Sequence, residues 1–360
     1  MKTLLFTVGA ALLAASACSA APRVAEFVAK NELTVHVPAG AHLVRIWFAL
    51  PQETHEQRIS DLHVDCPIAH HTVHDTTEGN RQLYAEEIRP TAGDIHIVTT
   101  FRVRRWEAVA STDPARTRPL SAEDRRRMAY YLQPNTYVVI DDRIRGIVHD
   151  VVGDEHNPVI IARKLYDWVL KYADYWVKDP ARWKASPVGS TEYCLNTRTG
   201  NCTDFHSLWT SLARAAGLPT RMVYGSLFKK ELAGKDTDQS YHCWPQFWAP
   251  KLGWISHDVA LADIFDDEIR LDDKNRTLVQ RTTPSGYTGK DPAKVAYYFG
   301  NLDERRVTWS VGRDLALEPH PAARTVNALP KAYVEVDGKP LAEGAQGWVR
   351  KLTYTEGAVP

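Results

Sequence analysis

Apolar and polar residues alternate along the first quarter of the chain. Leu33-Thr34-Val35-His36-Val37, Leu43-Val44-Arg45-Ile46-Trp47-Phe48 and Ile95-His96-Ile97-Val98-Thr99-Thr100-Phe101 alternate or are rich in β-branched residues. Turn-prone Pro38-Ala39-Gly40 and Glu78-Gly79-Asn80 break them up. Short strands at this spacing predict a small β-sandwich over residues 22–108. Residues 109–150 read as a linker, in which Glu123-Asp124-Arg125-Arg126-Arg127 makes a solvated helical face. Over 155–178 the period lengthens. Val159, Ile160, Ala162, Leu165, Trp168, Val169 and Tyr172 recur at three- and four-residue steps, which predicts a helix. Asn157 is its cap and Pro158 its first residue. This helix opens a mixed core over 151–283. Residues 284–360 form a C-terminal extension, with a hairpin signal at Tyr333–Val336 followed by Asp337-Gly338-Lys339. The fold class predicted is α+β.

A second helical pattern follows Thr199-Gly200-Asn201-Cys202-Thr203-Asp204. Gly200 permits a sharp turn, Asn201 is a strong N-cap, and Asp204 completes a variant capping box. Cys202, Phe205, Leu208, Trp209, Leu212, Ala213 and Ala216 fall on one face, and Gly217 then Pro219 stop the helix. Cys202 therefore sits in a first helical turn. There the partial positive charge of the helix end favours a thiolate, and free amides can hold a developing oxyanion. The competing reading is a buried structural cysteine.

Two aromatic-rich runs, Ser240–Ala249 and Gly253–Asp258, flank the turn chemistry of Pro250–Gly253 and predict a β-hairpin. His242 and Asp258 lie at equal offsets of eight from Pro250, so matching parity brings both to one face. An aspartate beside a histidine fixes its tautomer and stabilises the imidazolium, which can in turn take a thiol proton. His206 and His257 compete for the role of base. For a lone His and Asp, two ordinary strand residues would be the reading. With Cys202 earlier in the chain, the balance shifts to catalysis.

Bulk properties narrow the field. The 360 residues carry 44 Lys+Arg and 44 Asp+Glu, a formal charge of zero that points to neither nucleic acid nor an anionic membrane surface. The eleven Trp are read as core residues before groove linings. Residues 1–21 read as a signal peptide: Lys2, an apolar run from Leu4 to Ala15, then Ala15-Ser16-Ala17. A periplasmic or secreted protein is expected. Cys18 resembles a lipoprotein attachment site, although Ala15 stands where such sites carry Leu. Lipidation at Cys18 and simple cleavage between Ala17 and Ala21 both stay open. Five cysteines are an odd count for an exported chain, and Cys202 is the candidate reactive thiol.

Gly200-Asn201-Cys202, His242-Cys243-Trp244, Gly253-Trp254 and Asp258 together resemble the motifs of the transglutaminase-like superfamily, whose catalytic geometry is papain-like. So does the helix ending Ala215-Ala216-Gly217-Leu218-Pro219-Thr220-Arg221. The resemblance implies a papain-like core: a helix bearing Cys202 packed on an antiparallel sheet bearing His242 and Asp258. It also implies an N-terminal Ig-like domain. Tyr298-Phe299-Gly300-Asn301-Leu302-Asp303, Arg306-Val307 and Gly312-Arg313-Asp314 resemble a tail of uncharacterised bacterial members. Cys243 stands where Ala is usual, and Pro245 suggests an edge or bulge. The family's second oxyanion donor lies upstream of the cysteine, with Tyr193 and Asn196 as guesses.

The implied activity is acyl transfer on amide bonds through a Cys202 thioester, with no cofactor. Hydrolysis by a peptidase or amidase is favoured over protein-glutamine cross-linking. The substrate would be a peptide or protein amide, including cell-wall peptide. A non-catalytic module binding peptide or glycan is the reading from another class. A metal site built from Cys194, Cys202, His206, His242 and Cys243 lacks a defensible zinc spacing. A Cys194–Cys243 disulfide beside the site also stays open.

Overall fold

The computed structural model describes residues 21–264, 269–271, 278–280 and 290–357. The signal-peptide segment and Cys18 lie outside the described residues. The chain opens with six strands: β1 (Val24–Val37), β2 (Leu43–Ala49), β3 (Gln57–Asp65), β4 (Ala69–His74), β5 (Arg81–Ile88) and β6 (Gly93–Trp106). Strand β1 buries nearly every second residue, among them Leu33, Val35 and Val37, and β6 answers with Ile95, Ile97, Phe101 and Val103. The period of two places these rows on one face, so pairing β1 with β6 seals a core between two sheets.

The expected linker is largely structured. Helix α1 (Ala122–Arg127) exposes its charge run, but Asp124 is buried in a capping box with Ser121. Helix α2 (Asp142–Val152) buries Ile144 and Val152 in the core and so belongs to it. The reason is amphipathic: Ile147, Val148 and Val151 complete the stripe of α2 that packs inward. Helix α3 (Pro158–Tyr172) starts as the sequence predicts, with the Asn157 side chain accepting from the Val159 and Ile160 amides. It ends earlier than 178, at a Tyr172 followed by extended Ala173.

Helix α4 (Thr191–Thr197) leads to α5 (Cys202–Ala215), the centre of the core. Every residue of α5 from Cys202 to Arg214 is buried, not one face alone. Its polar side finds partners inside: Ser207 donates to the Gly189 carbonyl, Ser211 shares a hydrogen bond with Thr191, and Arg214 donates to the Thr220 carbonyl. Gly217, at φ +76°, ends the helix in a backbone region open to glycine. Trp209 is wholly buried, its ring 3.9 Å from that of His257 and 6.2 Å from that of Phe247. Trp209→Ala is expected to cost about 3–5 kcal/mol of unfolding free energy, read as a lower denaturant midpoint.

Against α5 lies a four-stranded antiparallel sheet, in the order β9-β8-β7-β10, formed by β7 (Thr220–Leu227), β8 (Tyr241–Ala249), β9 (Gly253–Ser256) and β10 (Arg306–Val311). A short helix α6 (Val259–Asp263) follows β9. The chain then returns to the sandwich. Strand β11 (Ala332–Val336) pairs with β2, and β12 (Trp348–Glu356) pairs with β1. Residues 332–356 are thus part of the first sandwich and not of a separate extension. The cause is long-range: β1 and β2 each present an edge that only these late strands satisfy. The sandwich and core share buried side chains, with Phe27, Trp47 and Phe101 clustering with Phe228, Val307 and Trp309.

Candidate active site

Cys202 is the first helical residue of α5. The Asn201 carboxamide accepts from the Thr203 and Asp204 amides at 2.9 and 3.1 Å, and Asp204 returns the bond to the Asn201 amide at 3.0 Å. A side chain at Gly200 would come within 2.4 Å of Asp204, so glycine is required there. With the amides of Thr203 and Asp204 capped, the Cys202 N–H faces outward from the helix end.

It meets Tyr175. The dipeptide Asp174-Tyr175 pairs in parallel with Thr199-Gly200, and the Tyr175 hydroxyl accepts from the Cys202 amide at 3.1 Å. Asp263, at the end of α6, fixes Tyr175 by accepting from its backbone amide at 2.9 Å, and Lys178 holds the same carboxylate oxygen at 2.7 Å. The guesses for a second donor fall elsewhere. Asn196 is exposed and accepts from Arg143 at 2.6 Å, and Tyr193 packs in α4 with its amide on Ser190. No local pattern marks Tyr175; it becomes visible only through the Tyr175–Gly200 pairing.

The hairpin forms between β8 and β9, with Trp248 opposite Trp254 and Gln246 opposite Ser256. The register centre is residue 251, one beyond Pro250, and β9 ends at Ser256, so strand parity is not what places Asp258. Asp258 lies past the end of β9, as the N-cap of α6, where its Oδ1 accepts from the Leu261 amide at 3.0 Å. Its Oδ2 stands 2.7 Å from His242 Nε2. The ring lies close enough to Cys202 that thiol and imidazole shift each other's titration, and Cys243 lies close to the same thiol. Pro245 is in an inner strand and not at an edge: it pairs with Met222 of β7 on one side, and on the other its carbonyl accepts from the His257 amide at 3.2 Å just past the end of β9.

The electrostatics follow from this packing. Contact with Cys243 and the neighbouring imidazolium hold the Cys202 thiol well below its usual range, against the opposing effect of burial. Burial works against charge on His242, but Asp258 and Cys202 outweigh it and raise the imidazole to about 9. Burial would push the Asp258 carboxyl up; His242 and Arg306 hold it well below the usual carboxylate range. The three groups are therefore suited to exist as thiolate, imidazolium and carboxylate near neutral pH.

The rival histidines take other places. His206 lies with Nδ1 3.3 Å from Cys243 Sγ and Nε2 3.4 Å from Asp258 Oδ1, and burial lowers its basicity. His257 packs on Trp209, with neither ring nitrogen hydrogen-bonded, and burial holds it neutral. Cys194 and Cys243 are separate free thiols, so no disulfide joins them. Among the described residues no group of three or more His, Cys, Asp or Glu side chains has metal-ligating geometry. Cys202 and His242 are each 3% exposed. The half-buried Tyr175 and Tyr241 bound the sulfur, Tyr241 through a 2.9 Å hydrogen bond to Thr203, whose hydroxyl is 3.9 Å from the sulfur.

A cysteine at a helix end, packed on an antiparallel sheet that carries a histidine, defines the papain-like class of α+β folds. Residues 145–259 match the family model of the transglutaminase-like superfamily. An uncharacterized protein of Haemophilus influenzae is 25% identical over 339 residues, covering 88% of this chain and 86% of that protein. A protein-glutamine gamma-glutamyltransferase of Pseudomonas aeruginosa is 24% identical over 191 residues, covering 49% of this chain and 27% of that protein. A crystal structure from Cytophaga hutchinsonii, described as a candidate cysteine protease, superposes with a TM-score of 0.51 at 18% identity. It covers 92% of this chain and 98% of its own, a likeness of fold.

Proposed function

We propose that this protein is a thiol acyl-transfer enzyme that cleaves amide bonds of a peptide or protein through a Cys202 thioester, with Cys202, His242 and Asp258 as its catalytic residues. The observation that carries this reading is the 2.7 Å hydrogen bond that Asp258 accepts from His242 Nε2, on a ring close enough to the thiol of a helix-end cysteine to be raised by it. The Cys202 sulfur attacks the carbonyl carbon. The oxyanion that forms takes hydrogen bonds from the Cys202 amide, which leaves the Tyr175 oxygen that accepts it in the free enzyme, and from the Tyr175 hydroxyl proton. His242 gives its proton to the leaving amine, and the thioester remains. Water, losing a proton to His242, then attacks the thioester and restores the thiol. Hydrolysis is the favoured outcome; an amine in place of water would give a cross-link.

The leader pattern supports an exported, periplasmic or secreted enzyme, for which cell-wall peptide is a natural class of substrate. Lipid attachment at Cys18 would tether it to a membrane. The test is a screen of peptide, cell-wall peptide and glutamine-bearing protein substrates with a labelled amine present, comparing wild type with Cys202→Ala. Release of new carboxylates by wild type alone is the expected result. Amine incorporation exceeding hydrolysis would assign cross-linking instead. Equal turnover by both proteins would leave a binding module as the reading.

A further inference from the structure

The stretch from Tyr298 to Val307 lies beyond the matched core, yet it closes around Asp258. The Tyr298 carbonyl accepts from the Asp258 amide at 2.9 Å, and the Gly300 amide donates to the Ser256 carbonyl at 3.0 Å. Arg306, the first residue of β10, is wholly buried. Its Nη1 stands 2.8 Å from Asp258 Oδ2, the oxygen that also takes His242 Nε2. Its Nε and Nη2 reach Asp303 Oδ2 at 3.0 and 2.8 Å. The guanidinium lies over the Trp244 ring, 5.0 Å from its centroid, which leaves it little room to swing away.

One carboxylate oxygen thus serves two cations. Arg306 draws on the negative charge that would otherwise hold the imidazolium proton, and it adds a positive charge behind the imidazole. Served by Asp258 alone, His242 would keep its proton more tightly and surrender it less readily to a leaving amine. Asp303 tempers Arg306 in its turn.

We infer that Arg306, held by Asp303, is a positioning residue that fixes the Asp258 carboxylate and keeps the His242 imidazolium acidic enough to release its proton. This rests on the reading of Cys202, His242 and Asp258 proposed above. The charged and titratable groups around His242 are Cys202 and His206 of α5, Asp258 at the start of α6, and Cys243 on its own strand. Tyr175 and Tyr241 lie beside the thiol. Arg306 and Asp303 act through Asp258, and Arg105 of β6 lies behind Trp244, 5.7 Å from its ring. Of these, Arg306 and Asp303 alter the charge on Asp258 while leaving thiol and imidazole in place.

The experiment follows Cys202 alkylation by iodoacetamide against pH in the full-length protein, at each pH relative to Cys202→Ala. Wild type is expected to give two inflections, the upper one near 9, where the imidazolium loses its proton. Arg306→Gln should move that upper inflection up by about one unit, the scale of shifts caused by a neighbouring charge. Asp303→Asn should move it down, and Arg306→Lys should leave it close to wild type. An upper inflection unmoved in folded Arg306→Gln overturns the proposal. Should Arg306→Gln not fold, Asp303→Asn decides: a downward shift supports the proposal, and an unmoved or upward one overturns it. A wild-type profile with a single inflection at ordinary thiol pH is a different failure, because it removes the thiolate–imidazolium pair itself.

Discussion

His242→Ala is expected to fold and to lose about a thousandfold in amide turnover, within the range assigned to a general acid–base. Two effects combine. The leaving amine has no proton donor, and the thiolate loses its cationic partner. Cys202 keeps the contact with Cys243 and the helix end, but its alkylation midpoint should climb toward the ordinary thiol value of about 8.5. At pH 6 a thiol of that kind is only about 0.3% thiolate. The checks are steady-state turnover and the pH dependence of iodoacetamide labelling. Labelling at pH 6 that matches wild type would sink the assignment of His242 as partner. In wild type the signs run as follows. Activity rises as pH passes upward through the depressed thiol value, and it falls again near 9, where His242 loses the proton it must donate.

Tyr175→Phe should cost roughly a hundredfold in kcat with little change in KM, the scale seen when one oxyanion donor is removed. Phenylalanine keeps the ring against Phe205, 5.7 Å away, and keeps the backbone bond to Asp263. Only the hydroxyl is lost. Thiol alkylation needs no oxyanion support, so it should stay within a few-fold of wild type. That contrast separates a transition-state role from damage to the site. A kcat within threefold of wild type would leave the Tyr175 hydroxyl with no part in the chemistry.

Local signals carried much of the site. The Asn201–Asp204 capping box is a four-residue pattern, and it places Cys202 at a helix end whatever the rest of the chain does. The hairpin itself was legible from its two aromatic-rich runs, although its centre lies one residue beyond Pro250. Asp258 itself is a helix cap past the strand end, which the alternation of β9 could not reveal. Tyr175 and Arg306 reach the site through a two-residue parallel pairing and a buried ion pair, neither of which imposes a period on the sequence. The Tyr298–Asp314 tail was legible as a motif, but its purpose depends on Asp258, far earlier in the chain. The sandwich was read from β1, β2 and β6, whereas β11 and β12 look locally like any other hairpin strands. Helix α2 fell inside an apparent linker because only two of its residues are fully buried.

The pairing of β12 with β1 has a consequence for biogenesis. Val28 lies opposite Thr355, and Leu33 opposite Arg350. Val28 and Thr355 are 327 residues apart (355 − 28), so one flank of β1 stays unmatched until the late strand docks. A variant that lacks β12 would keep Cys202, His242 and Asp258 yet leave an open sheet margin prone to recruiting other chains.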